Sequence, residues 1–175
     1  RDGLMQAVGA DFEVLKAISD TTQGRILFSY GAGPDKGSGR AQAKRLDELC
    51  KGRDITAITQ VRGSGFIFGL QSNLPFAGET WKMLRKLDLA GRLAAINDVD
   101  TAAKLVEEGM GTPRRFDLKQ VFYLGDGETP DYTLPRQSNV AAMGEAASED
   151  FVETFLRLSR ESDGKGLFNL RMFNQ

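Results

Sequence analysis

The sequence contains no histidine and a single cysteine, Cys50. Without histidine there is no Ser-His-Asp or Cys-His nucleophile, no His-ligated zinc or iron, and no side chain whose ordinary pKa lies near neutrality. One cysteine can form neither an intrachain disulfide nor a cysteine metal cluster, which fits a reducing compartment without requiring one. Cys50 itself reads as a small buried hydrophobe. An excess of charge of one sign is also missing. Lys and Arg total 23 against 24 Asp and Glu, for a net charge of −1, whereas a nucleic-acid partner calls for a clear basic excess. No apolar run approaches the roughly 20 residues needed to span a bilayer, and no basic start leads into an apolar signal core. These absences predict a soluble protein without a membrane partner, cytoplasmic by default, with a secreted effector as the other reading. Any chemistry falls to Asp, Glu, Lys, Arg, Ser, Thr or Tyr.

What is present describes a globular chain. Of 175 residues, 41% are hydrophobic and 27% charged, outside the disordered range. A chain of this size buries roughly 70% of its extended surface, enough for one core without staples. We therefore expect a single mixed α/β domain over 1–175. Its first residue is Arg1 rather than Met, which suggests an excised or processed part of a longer protein.

Leu4, Val8, Leu15 and Ile18 recur near helical spacing and predict a helix over 3–19. Residues 25–30 (RILFSY) form a compact apolar run, 31–39 (GAGPDKGSG) a Gly-rich loop, and 40–51 a helix stopped by Gly52. The β-branched run 55–61 then completes a βαβ unit at about 25–61. Further strands are expected at 66–70, 118–124 and 167–173. Helices are expected at 80–89, from Asp98 or Asp100 to about Glu108, and after Ser148 as N-cap. Together these predict a mixed sheet flanked by helices, with Ile26, Phe28, Leu46, Ile58, Phe68, Trp81, Leu84, Val121, Phe151 and Phe155 in the core.

The strand, glycine loop and helix are the ingredients of a phosphate site, because glycines let backbone amides converge on an anion at a helix start. The candidate ligand-binding residues are Gly31, Gly33, Lys36, Gly37, Ser38, Gly39 and Arg40. The run is not a Walker A motif, since Lys36 precedes Gly37. The bland alternative is a surface connection with Pro34 and Asp35 in an ordinary turn. A second loop, 125–135 (GDGETPDYTLP), supplies Asp126 and Asp131 as candidate catalytic carboxylates, with a solvated turn as its bland reading. Arg114 and Arg115 could clamp an anion or form a solvated corner. If 25–30 and 118–124 were parallel strands of one sheet, both loops would open on the same edge.

The spacing Gly33-x-x-x-Gly37-x-Gly39 before Arg40 is similar to the cofactor turn of short-chain dehydrogenases. That likeness ends there: none of Tyr30, Tyr123 and Tyr132 is followed four residues later by the Lys that family uses. RILFSY with its following helix resembles the opening of Toll/interleukin receptor-type domains, and the strand with its Gly-rich loop is similar to the opening of glycosyltransferase halves. Asp126 with Asp131 is similar to the last acidic motif of haloacid dehalogenase-type phosphatases, but Asp98-x-Asp100 does not supply their nucleophile motif. The function expected is binding of a nucleotide or other phosphate-bearing small molecule, with a His-independent transferase or glycohydrolase as the compatible enzyme class. No cofactor is specified. The alternative is a non-catalytic interaction or assembly domain, viral or effector in type, with a protein partner.

Overall fold

The structure is a computed structural model describing residues 3–8, 11–33, 37–60, 62–113, 116–126 and 128–173. It is a mixed α/β protein whose residues cluster into two compact units, Arg1–Ser64 with Met172–Gln175, and Gly65–Arg171.

The first unit begins with strand β1 (Leu4–Val8), helix α1 (Phe12–Thr22) and strand β2 (Arg25–Tyr30). Helix α2 (Ser38–Cys50) and strand β3 (Ile55–Thr59) follow. The strands form a parallel sheet in the order β1-β2-β3, with Met5 beside Ile26 and Ile26 beside Ile55. The expected βαβ unit is therefore present. Asp11 starts α1 by accepting a hydrogen bond from the Glu13 amide at 2.7 Å, and Gln23 ends it in the left-handed region at φ 53°.

Side chains alternate across a strand, so one face of this sheet carries Met5, Ala7, Ile26, Phe28, Ile55 and Ala57. That face packs with Leu15 and Ile18 of α1 and Leu46 and Leu49 of α2 in one core. The opposite face is open. Leu4, Val8 and Ile58 are 61%, 78% and 50% exposed there, alongside exposed Gln6, Ser29 and Thr56. Parallel sheets are normally covered on both faces.

This arrangement corrects two sequence expectations. Residues 4–8 are a strand, and the helix starts only at Phe12. Leu4 and Val8 lie four apart and imitate a helical stripe, but the residues that pack are Met5 and Ala7, two apart. Ile58 falls on the open face instead of in the core.

The second unit is mainly helical, with α3 (Glu79–Arg85), α4 (Leu89–Asn97), α5 (Val99–Met110), α6 (Val140–Ala147) and α7 (Phe151–Glu161). Its sheet combines β4 (Ser64–Phe68), β5 (Val121–Tyr123) and β6 (Phe168–Phe173) in the order β4-β6-β5, with β5 antiparallel to β6. Phe155 of α7 anchors the core, its ring centroid 4.8 Å from Phe168 and 5.3 Å from Phe76. Trp81 is fully buried, and its indole N–H donates to the Leu105 carbonyl at 2.9 Å. Arg92 donates to the carbonyls of Leu70, Ser72, Leu84, Arg85 and Leu87 and so ties the β4–α3 loop to the α3–α4 turn.

Ser148 is not an N-cap but closes α6 at φ 57°. Asp150 caps α7, accepting from the Val152 and Glu153 amides while Glu153 accepts from the Asp150 amide. Leu118–Gln120 form a 3-10 turn, which shortens the expected strand to β5. The strands also divide between two sheets, so β2 and β5 share no sheet edge. The premise for a site common to the two glycine loops is therefore missing. No helix among the described residues is long and apolar enough to cross a membrane.

Candidate functional site

Strands β1, β2 and β3 run in the same direction, so their carboxyl ends meet along one edge of the first unit. In an open α/β sheet that edge is where loops diverge and leave a crevice. A pocket of about 700 Å3 lies there, within the volume range of small-molecule sites. Each strand contributes its last residues: Val8 from β1, Ser29 and Tyr30 from β2, Ile58 and Thr59 from β3. The α1 start adds Asp11 and Phe12, and α2 adds Gln42 and Arg45, three apart and hence on one helix face.

Aromatic rings form much of the wall. Phe12 and Phe28 meet edge to face with centroids 5.7 Å apart, and Tyr30 lies 6.3 Å from Phe28 and 6.4 Å from Phe12. The Arg45 guanidinium sits over the Phe12 ring, 5.0 Å from its centroid. It makes no ion pair or hydrogen bond among the described residues. The Tyr30 hydroxyl is buried without a hydrogen-bond partner among the described residues. Burial pushes its pKa up, against the opposing pull of the Arg45 charge. Gly31 follows directly, and a Cβ there would lie 3.3 Å from the Phe173 ring, so the chain leaves β2 where a side chain would be crowded.

The glycine run continues from Gly31, which lines the pocket, to the start of α2. Gly37 takes φ 86°, a left-handed conformation that other residues adopt at a cost, and serves as the N-cap of α2. It brings no side chain to the first amides, and no acidic residue stands in that turn. Ser38 spends its hydroxyl on the Gly33 carbonyl at 2.7 Å, closing the loop on itself.

Of the expected ligand-binding residues, Gly31 lines the pocket, Ser38 and Gly33 brace the loop, Gly37 and Gly39 shape the helix start, and Arg40 is exposed in its first turn. Lys36 lies outside the described residues, as do Pro34, Asp35, Arg114 and Arg115. Asp126 and Asp131 belong to the second unit. Asp126 accepts from the Glu128 amide at 3.1 Å. Asp131 accepts from the Thr133 hydroxyl and amide at 2.7 Å each. The Thr133 hydroxyl and then its amide hold the Asp131 carboxyl below the usual range, with a smaller contribution from Arg171. A general base working near neutral pH needs the opposite shift. Among the described residues, no group of three or more Cys, Asp or Glu is placed to hold a metal.

Phe12, Tyr30, Gln42, Arg45 and Thr59 escaped the sequence reading, which followed glycines. The available signal was position: Tyr30 is the last residue of β2, and Arg45 is one turn past Ala41 on the helix that follows the loop. No known family model matches this chain, and no curated protein or solved structure shows a significant likeness to it.

Proposed function

We propose that the first unit binds a phosphate-bearing small molecule, a nucleotide foremost, at the carboxyl edge of its parallel sheet. The observation that carries this reading is the convergence of three strand ends on one pocket, with an arginine at its wall that pairs with no carboxylate among the described residues. Helix α2 adds support through Gln42 and Arg45, by which it lines the pocket. If the bound molecule reacts, a nucleotide transferase or glycohydrolase is the class compatible with a chain lacking histidine, and Asp11 is the carboxylate at the pocket.

The test is thermal unfolding of the full chain in the presence of nucleotides, dinucleotides and sugar phosphates. A ligand held at 100 times its dissociation constant stabilises the folded state by about 2.7 kcal/mol. A screen in which none of these compounds raises the melting temperature overturns the reading. One observation favours a second reading, a protein-interaction domain: the apolar residues Leu4, Val8 and Ile58 on the uncovered sheet face. A chain that ignores every ligand yet migrates as a larger species in gel filtration would support that reading instead.

A further inference from the structure

The pocket joins two chemistries that a phosphate alone does not require. One wall is formed by the rings of Phe12 and Tyr30, packed on the buried ring of Phe28. A bare phosphate or sugar phosphate gains little from such a surface, whereas a planar ring stacks on it. The other chemistry is the Arg45 guanidinium. It is an exposed fork of N–H donors, steadied over the Phe12 ring and given no carboxylate among the described residues. A planar guanidinium matches phosphate oxygens in pairs. Gln42, one turn earlier on the same helix face, places an amide beside it.

We infer that the pocket is two-ended and takes a nucleoside monophosphate-like ligand, its planar base against the Phe12 and Tyr30 rings, which the buried Phe28 ring backs, and its phosphate on Arg45. The inference rests on the ligand-binding reading above and narrows it to ring-bearing anions. Arg45 then selects for the charge, and the aromatic wall selects for the ring. Neither end alone gives strong binding.

The test compares the four common nucleoside 5′-monophosphates, the matching nucleosides and ribose 5-phosphate by calorimetric titration of the full chain and of Arg45→Gln. Arg45 is exposed, so this variant keeps the fold, which its unchanged melting temperature verifies. At least one nucleotide is expected to bind about tenfold or more tightly than both its nucleoside and ribose 5-phosphate, the scale of one charge-assisted hydrogen-bonding group. Arg45→Gln is expected to bring that nucleotide down to the level of its nucleoside while leaving nucleoside binding unchanged. Equal binding of the nucleotide and ribose 5-phosphate overturns the ring end. An unchanged nucleotide-to-nucleoside ratio in Arg45→Gln overturns the role of Arg45. In both cases phosphate binding persists and the broader reading stands. If no phosphate compound binds in this set or in the thermal screen, the broader reading fails first.

Discussion

Arg53 reaches back to Asp20 as a two-pronged fork, with Nε 2.7 Å from Oδ1 and Nη2 3.2 Å from Oδ2. The pair links the end of α1 to the turn that enters β3, at the amino end of the parallel sheet and so away from the pocket. Lys16 adds a second contact to the same carboxylate at 2.9 Å. The hydrogen bond from Arg53, and then that from Lys16, lower the Asp20 pKa to about 2.

Because an unfolded aspartate titrates near about 3.9, Asp20 contributes stability that is fully present above that pH and disappears as the pH falls toward 2. Asp20→Asn removes this contribution. The urea midpoint of the wild type is expected to fall more steeply between about pH 4 and pH 2 than that of the variant. The difference shrinks in high salt, since the Asp20 carboxylate is solvent-exposed. Equal slopes for the two proteins would refute the linkage.

Tyr30 gives a test of a different kind. Its hydroxyl is buried without a partner among the described residues, and an unmet polar group costs about 1–3 kcal/mol. Tyr30→Phe keeps the ring contacts with Phe12 and Phe28 and removes that cost. We expect the variant to be more stable than wild type by about 1 kcal/mol, read as a higher urea midpoint at unchanged slope. A loss of stability would show that the hydroxyl is satisfied in solution.

Gly109 lies inside α5 where the helix meets α7. A Cβ at this position would stand 2.9 Å from Val152 Cγ2 and 3.0 Å from Cγ1, with the Trp81 indole nitrogen 3.4 Å away. Val152 and Trp81 are both fully buried and cannot swing aside into solvent. Gly109→Ala is therefore expected to cost about 1–3 kcal/mol by overpacking, despite the better helix propensity of alanine. The double variant with Val152→Ala should recover part of the loss, giving a coupling of about 0.5–3 kcal/mol in a double-mutant cycle. Strict additivity of the two single variants would exclude the clash.

The sequence was most readable where local chemistry agreed with tertiary packing. RILFSY is apolar and β-branched or aromatic, its loop is rich in glycine, and the run after it is rich in helix formers, so β2 and α2 appear close to their expected bounds. Ile26, Phe28, Phe68, Trp81, Leu84, Val121, Phe151 and Phe155 are all buried as expected, while Leu46 is half-buried. Reading failed where one face of an element met solvent. In β1 and β3 the large side chains Leu4, Val8 and Ile58 point to the open face, and smaller Ala7 and Ala57 pack inward, so hydrophobicity marked the wrong side. Helix α6 was missed because its alanines and glycine give almost no periodic contrast. Gly31 lines the pocket, but its walls come from residues far apart in the chain, such as Phe12, Arg45 and Thr59, which only the parallel register assembles.

The order β4-β6-β5 sets the tempo at which the two sheets form. Successive strands of the parallel sheet are separated by a single helix, so each pairing closes a short loop. Strand β6 is instead the centre of the second sheet, and almost the whole second unit separates it in sequence from its neighbour β4. Neither β4 nor β5 gains its backbone partner until that distant segment arrives. Pairings of such long sequence separation form slowly, so during refolding β4 and β5 pass through a period as unpaired edges, when the apolar side chains of Phe66, Ile67 and Phe122 are the surfaces most open to association with another chain.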